Sequence, residues 1–363
     1  MVSAVQPKVG ILFKSYEPLS SIRKYAALTE ELNFAGGFWV AEAYHWFRQY
    51  GLEARGVFAT LAAVALSTRR IPIGLGITSP YMRHPTIQAS EACAIDELSD
   101  GRFIMGLGAG KVGINYLETV NNSRPAVRIH RESIEIFRRI TQGEAFAYEG
   151  EFYSSRMPAI APERRGHRPS IPLYIGATGP LMQRLAGEVA DGLLLAGLVS
   201  PGFMRIAHAN LVKGFEKAGK PVDPAFPVGG VVLCSVAKDS KIAKNVARSY
   251  TATYVVNKIR NIGNNDILTS SGVTDEMLAP LRARLATGNE NLTDLVTDEM
   301  MRRFAVVAGN PTEATEILQG LIDAGMNLAL MEVVGVDEAA NLESIRLLST
   351  HVISNLKPAK VTA

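Results

Sequence analysis

The chain has 363 residues, of which 47% are hydrophobic and 20% are charged, a composition that supports a large hydrophobic core. The formal net charge is only +3, and because acidic residues lie between the lysines and arginines, the sequence shows no basic stripe suited to a nucleic acid. No apolar run approaches the ~20 residues that span a bilayer, and the first ten residues lack the pattern of a signal peptide. We therefore expect a globular, cytoplasmic protein that binds neither nucleic acid nor membranes.

Strand-like and helix-like runs alternate along the chain. Eight apolar runs predict strands, at Val9–Phe13, Gly37–Ala41, Ile71–Ile77, Phe103–Leu107, Leu173–Ile175, Gly192–Leu195, Val228–Val236 and Leu328–Val334. Amphipathic runs between them predict helices, such as Leu19–Leu32, Thr86–Leu98 and Thr312–Ala324. Because this alternation produces parallel strands and eight such units close a barrel, the sequence predicts an α/β protein with a TIM (β/α)8 barrel. An open doubly wound sheet is the alternative.

Three segments do not fit the simple repeat. Residues 111–125 form a polar loop, residues 145–155 contain a predicted hairpin about Glu149 and Gly150, and residues 261–300 are rich in Asn, Gly, Thr and acidic residues. Insertions of this length are usually lids or interfaces. We therefore expect residues 1–363 to form one barrel domain that carries these insertions at its C-terminal mouth.

Glycines open the carboxyl ends of three predicted strands, where ligands of a TIM barrel bind. These ends read GITSP at 76–80, GLGAG at 106–110 and GATGP at 176–180. In the last of them, Pro180 suits a first helical position and Thr178 is a candidate N-cap, so the backbone amides can bind an anion. Steric relief between crowded strands is the alternative explanation for each glycine. The three together favour a flat, phosphate-bearing cofactor on the mouth.

Two runs carry a resemblance to a known family, namely RHPTIQASEACAIDELSDGRFIMGLGAGK and PLYIGATGPLMQRLAGEVADGLLL. They strongly resemble the bacterial-luciferase-like superfamily, and within it the branch that uses the deazaflavin coenzyme F420, typified by methylenetetrahydromethanopterin reductase. The resemblance covers nearly the whole chain. It implies a TIM barrel, a flavin or deazaflavin at the C-terminal mouth, and hydride transfer at the cofactor ring. We also expect a small-molecule substrate and a homodimer.

The resemblance also implies where the cofactor binds. Relatives carry a non-proline cis peptide in the bulge after the third strand, so the bond between Gly76 and Ile77 is predicted to be cis. In relatives the cofactor phosphate lies on amides of the segments that follow the fourth and fifth strands. The residues implied to contact the cofactor are Gly76, Ile77, Thr78, Ser79, Gly108, Ala109, Gly110, Lys111, Gly176, Ala177, Thr178 and Gly179.

The chain departs from its relatives at the residues that carry acid–base chemistry. Where relatives often read Trp-x-x-Asp-His after the second strand, Glu42 fills the acid position, but the nearest imidazole is His45. The glutamates that act in two branches of the family fall on Lys111 and Leu12 of this chain. We therefore predict that Glu42 is the catalytic acid or base and that His45 shapes the substrate pocket. The alternative is a structural Glu42 that bonds backbone or an arginine.

These features predict an oxidoreductase that moves a hydride between coenzyme F420 and a small organic substrate. One alternative is an FMN-dependent two-component monooxygenase, which a separate reductase supplies with reduced flavin. A second alternative is a flavin-binding or deazaflavin-binding protein without turnover. The six histidines show no close pair and no Cys or His cluster has ligand spacing, so no metal site is expected.

Overall fold

The computed structural model describes residues 6–44, 47–48, 51–110, 125–166, 168–260 and 265–359. Its strands are Lys8–Lys14 (β1), Phe38–Ala41 (β2), Ile73–Leu75 (β3), Phe103–Gly108 (β4), Phe146–Glu149 (β5), Ser154–Met157 (β6), Leu173–Gly176 (β7), Gly192–Ala196 (β8), Val228–Val236 (β9), Val307–Gly309 (β10) and Leu328–Val333 (β11). Eight of them, β1, β2, β3, β4, β7, β8, β9 and β11, pair in parallel in that order. Because β11 also pairs with β1, the sheet closes into the predicted barrel.

Helices surround the barrel, as strand–helix alternation requires. They are Leu19–Glu31 (α1), Val57–Ser67 (α2), Pro85–Leu98 (α3), Ala126–Gln142 (α4), Pro180–Val189 (α5), Pro201–Lys217 (α6), Ser240–Arg260 (α7), Asn265–Ser270 (α8), Asp275–Ala286 (α9), Asp298–Arg303 (α10), Pro311–Asp323 (α11) and Glu338–Leu347 (α12). Side chains cap several of them, and Asn310 with Glu313 forms a capping box at α11. None of the described helices has both the length and the apolar character needed to cross a membrane.

The eight barrel strands are the eight that the sequence predicts. The sequence interpretation missed β10, because three residues are too few to show a strand pattern. This strand pairs with the last three residues of β9, beside the barrel. The predicted hairpin is the antiparallel pair β5 and β6. Two helices, α8 and α9, lie in the predicted insertion at residues 261–300.

Side chains of alternate strand residues fill the barrel in layers. The middle of the barrel holds one apolar cluster, formed by Leu12, Trp39, Tyr174, Leu194, Val231, Leu328 and Leu330. Two residues further along β1 and β11, the same alternation brings Lys14 and Glu332 to the inner face. The barrel is therefore apolar in its middle and charged at one side of its C-terminal mouth.

A histidine that is completely buried makes the fold sensitive to acid. His130 lies in α4 with an exposed fraction of 0%, and its Nδ1–H donates to the carbonyl of Ala126 over 2.7 Å. Burial lowers the pKa of His130 from 6.5 to about 4. Below a pH of about 6.5 the unfolded chain therefore binds a proton that the folded chain rejects until the pH approaches about 4.

We expect this difference to remove stability as the pH falls between those two values. His130 should lower the free energy of unfolding by about 2 kcal/mol between pH 7 and pH 5, because one unit of pKa shift corresponds to ~1.4 kcal/mol. Urea denaturation of the wild type and of His130→Gln at both pH values measures it. The variant should lose less stability on acidification than the wild type, and equal losses would contradict this assignment.

Candidate active site

A bulge continues the chain beyond β3 at the C-terminal mouth of the barrel. The peptide bond between Gly76 and Ile77 is cis, which confirms the prediction made for this bond. The N–H of Thr78 donates to Gly106 over 3.0 Å, and the N–H of Gly108 donates to the carbonyl of Thr78 over 2.9 Å. These bonds fix the bulge to β4, so the segment has a defined position at the mouth.

The Ile77 side chain accounts for two of the glycines at the mouth. A Cβ on Gly176 would lie 2.8 Å from Ile77 Cγ2, and a Cβ on Gly108 would lie 3.0 Å from Ile77 Cδ1. A Cβ on Gly106 would lie 1.9 Å from the carbonyl oxygen of Leu75. Steric relief between strands, the alternative considered for the sequence, therefore explains these three glycines. Ile77 itself is half-buried and packs on the apolar cluster, so its side chain forms an apolar platform.

The turn between β7 and α5 is open. Nothing lies within 4 Å of the position that a Cβ would take on Gly179. Gly179 is the N-cap of α5 and no side chain caps this helix, so the expectation of a cap at Thr178 is wrong. The N–H groups of the first helical turn have no intrahelical acceptor, and Pro180 leaves Leu181 and Met182 as the donors there. This helix start can bind an anion.

The carboxylate of Glu42 is held between two donors. Its Oε2 accepts from the Thr78 hydroxyl over 2.6 Å, and its Oε1 lies 2.6 Å from Nη2 of Arg83. The Glu42 side chain is only 5% exposed, and Arg83 also donates to the Thr78 hydroxyl over 3.1 Å. Burial and the Glu42 charge raise the pKa of Tyr44 well above its ordinary value. Glu42 therefore belongs to a buried network beside the cis peptide.

Some of the other predicted site residues lie in the described part of the chain and some lie outside it. Thr78 and Ser79 are fully buried, and the Ser79 hydroxyl donates to the carbonyl of Ala109 over 2.9 Å. Gly110 follows with a positive φ of 59°. His45, Lys111 and most of the predicted loop at 111–125 lie outside the described residues. The predicted cofactor residues of the bulge and of the β4 end thus contact one another, whichever ligand they hold.

A charged cluster on the opposite side of the mouth escaped the sequence interpretation. The Lys14 ammonium pairs with the Glu332 carboxylate and lies 3.2 Å from Tyr254 Oη, which donates to Glu332 Oε2 over 2.5 Å. The Glu332 side chain is 4% exposed. Burial opposes ionisation of Lys14, but the charge of Glu332 holds the pKa of Lys14 above its ordinary value. The cluster keeps an ammonium and a carboxylate at the inner edge of the barrel.

The residues on the two sides of the mouth differ in side-chain size and charge. At the side of β4 and β7, Gly106, Gly108 and Gly176 lie around the Ile77 platform, and on the other side the register places Ala41 of β2 next to Lys14 of β1. The side at β1 and β11 carries the charged cluster. Among the described residues, no group of His, Cys, Asp or Glu could hold a metal ion. The arrangement suits a planar ring on the apolar side, with a polar reactant facing the charged side.

These features coincide with a family assignment. The chain belongs to the luciferase-like monooxygenase family, whose sequence model matches residues 3–328. The 5,10-methylenetetrahydromethanopterin reductase of Archaeoglobus fulgidus is 31% identical over 363 residues, which cover 96% of this chain and all of that protein. An F420-dependent glucose-6-phosphate dehydrogenase of Amycolatopsis mediterranei is 24% identical over 323 residues, covering 87% of this chain and 89% of that protein.

A solved structure shares the fold over nearly the whole chain. The coenzyme F420-dependent tetrahydromethanopterin reductase from Methanopyrus kandleri superposes with a TM-score of 0.81 at 23% identity. The superposition covers 97% of this chain and 100% of that one. The chain is thus an oxidoreductase of TIM-barrel fold, as its resemblance to this superfamily implied.

Proposed function

We propose that the protein is an F420-dependent oxidoreductase that transfers a hydride between the deazaflavin and a small organic substrate. Two of the relatives described above are F420-dependent by name. The observation that carries the proposal is the mouth itself, where the Ile77 platform and an open helix start lie opposite a charged cluster. When bound, the deazaflavin supplies the carbon that gives or takes the hydride.

The described residues fit such a ring and its phosphate. Ile77 offers an apolar face for the ring, and the hydrogen bonds of Thr78 and Ser79 to the end of β4 fix that face in place. The helix start at Gly179 offers amide donors to the phosphate, together with the amides that follow β4. On the substrate side, Glu42 and His45 move or hold a proton in this proposal. Lys14 Nζ, paired with Glu332, holds another proton at the inner edge of the barrel.

Binding of the two candidate cofactors tests the proposal. F420 and FMN are each titrated into the purified protein and binding is followed by fluorescence. Tight binding of F420 with feeble binding of FMN, together with F420-linked turnover, is the expected result. The reverse preference would indicate an FMN-dependent two-component monooxygenase with a partner reductase. Binding without reduction across a panel of donors and acceptors would indicate a binding protein without turnover.

Replacement of Gly179 by leucine should weaken F420 binding by a factor of about ten or more, equivalent to ~1.4 kcal/mol. The open space around Gly179 accepts the side chain without a clash inside the protein, so the fold should survive. The leucine instead blocks the approach of a phosphate to the helix start. Gly320, which also has nothing within 4 Å of its Cβ position but lies in α11, provides the matched control Gly320→Leu. Unchanged F420 affinity in a folded Gly179→Leu protein would leave this turn without a binding role.

Two further expectations belong with this proposal. A homodimer is expected in solution, and sedimentation equilibrium measures the mass directly. A monomer at micromolar concentration would contradict it. The cytoplasmic location also stays a prediction, which fractionation of the source cells tests.

A further inference from the structure

A cavity opens beside the charged cluster. It has a volume of about 330 Å³ and lies between the segments that follow β1 and β11, with α1 and α12 at its walls. Glu332 and Lys14 line its inner end, so the cavity reaches the side of the mouth that faces the substrate in the proposed function. Four aromatic side chains also line it, those of Phe13, Tyr16, Tyr25 and Tyr250. Their bulk gives the cavity an apolar wall beside its polar groups.

The cavity lining is acidic. Its carboxylates are Glu17, Glu332, Asp337 and Glu338, whereas Lys14 is the single lysine or arginine among the described residues that line it. Three of the carboxylates have partners inside the protein. Glu332 is paired with Lys14, Glu338 lies 2.5 Å from the Lys24 ammonium, and Asp337 caps α12 by accepting from the N–H of Ala340 over 2.8 Å.

The fourth carboxylate, that of Glu17, is available to bind a ligand. Within the described part of the chain, Glu17 has no ion-pair partner within 4.0 Å. It is half-buried, and burial raises the pKa of its carboxyl above the ordinary value. The charges of Arg55 and Lys14 offset the effect of burial only in part, so a cation in direct contact with the Glu17 carboxylate recovers more of the free energy that its burial costs.

A buried amide supplies a second, independent acceptor. Asn341 lines the cavity and is only 7% exposed. Its Nδ2 donates to Tyr25 Oη over 3.1 Å, but its Oδ1 is buried and has no hydrogen-bond partner among the described residues. Buried carbonyl oxygens in native proteins are nearly always satisfied. This oxygen therefore retains the capacity to accept a hydrogen bond from a ligand in the cavity.

We propose that this cavity binds the primary ammonium group of the substrate, with the aromatic walls holding the apolar body to which the ammonium is attached. An ammonium has three N–H donors and no acceptor, which matches the Glu17 carboxylate and the Asn341 Oδ1. The faces of the tyrosine rings attract a cation as well. Lys14 does not oppose it, because Glu332 already neutralises that charge. This inference rests on the proposed function, since it names the class of the substrate.

Three probes of one size and different charge test it. Benzylammonium, benzyl alcohol and benzoate are titrated into the full-length protein without added cofactor, and dissociation constants are measured by ligand-observed NMR. We expect benzylammonium to bind about tenfold more tightly than benzyl alcohol, equivalent to ~1.4 kcal/mol. Benzoate should not bind. Equal affinity for the cation and the alcohol, or preference for benzoate, would overturn the inference.

Two variants connect the binding to the named groups. Glu17→Gln and Asn341→Leu should each weaken benzylammonium binding about threefold to tenfold and leave benzyl alcohol unaffected. Glu31→Gln is the matched control, because Glu31 lies exposed in α1, outside the cavity lining. Because Asn341 also contacts Tyr25, its variant is checked by circular dichroism, and Glu17→Gln carries the test where that variant misfolds. An unchanged benzylammonium affinity in folded Glu17→Gln overturns the proposal.

The same titrations distinguish a failure of this inference from a failure of the proposed function. F420 binding to wild type, Glu17→Gln and Glu31→Gln should be equal, because the cavity lies away from the Ile77 platform. A protein that binds F420 but shows no preference for benzylammonium retains the proposed function and loses the ammonium site. A protein that binds benzylammonium but not F420 loses the proposed function, and with it the assignment of this cavity to the substrate.

Discussion

Replacement of Glu42 by glutamine is expected to lower turnover by about 10²–10⁴-fold while F420 affinity changes little. General acid–base groups contribute in this range, and glutamine keeps the shape of the side chain but removes the titrating proton. Glu42 follows β2, at the position where the resemblance implies an acid. Steady-state kinetics and F420 titration of the same preparations measure the two quantities separately.

The ion pair between Glu42 and Arg83 allows a second role for Glu42, in which it positions Thr78 and does not relay a proton. Glutamine has an oxygen at only one of the two carboxylate positions and an NH2 donor at the other, so Thr78 and Arg83 can no longer each donate to an oxygen of their own. If Glu42 acts by positioning Thr78 beside the Ile77 platform, F420 affinity falls together with turnover. Arg83→Met then produces the same loss, because it removes the other half of the pair. If Glu42 relays a proton, Arg83→Met instead shifts the pH dependence of turnover and leaves F420 affinity intact.

The barrel could be predicted from the sequence because each of its strands is a continuous apolar run bounded by helical patterns. Buried parallel strands have this composition, since helices cover their outer faces and side chains fill the interior. The short β10 has too few residues to show such an apolar run. The cis peptide could be predicted only from the resemblance to relatives, because the residues GLGIT by themselves indicate a bulge and no particular bond geometry.

The sequence contains a signal for the charged cluster. Glu332 is a charged residue inside the apolar run LALMEV, and Lys14 lies two residues after Leu12 on the same face of β1. Strand alternation therefore predicts that both side chains enter the barrel. Their pairing, across 318 residues of sequence, depends on the closure of β11 against β1. The contact of Ile77 with glycines of two other strands likewise follows only from the register of the barrel.

Removal of one member of the charged cluster should destabilise the protein strongly, whereas removal of both should not. In Lys14→Met the Glu332 carboxylate stays buried without its cation, and in Glu332→Leu the Lys14 ammonium stays among aromatic rings without its anion. Loss of one partner of a buried pair costs about 3 kcal/mol or more. The double variant leaves no stranded charge, so we expect it to recover most of that loss. Urea denaturation of the four proteins gives the coupling energy between the two residues.

Turnover of the same four proteins decides whether the cluster serves the reaction or only the fold. In the proposed function Lys14 Nζ holds a proton on the substrate side of the ring, so neither single variant nor the double variant should regain activity. We expect the double variant to be folded, to bind F420 with unchanged affinity, and to turn over about 10²-fold more slowly than the wild type. Wild-type turnover in the double variant would show that the cluster is only part of the barrel's packing. The combination of recovered stability and lost turnover is one that a purely structural ion pair cannot produce.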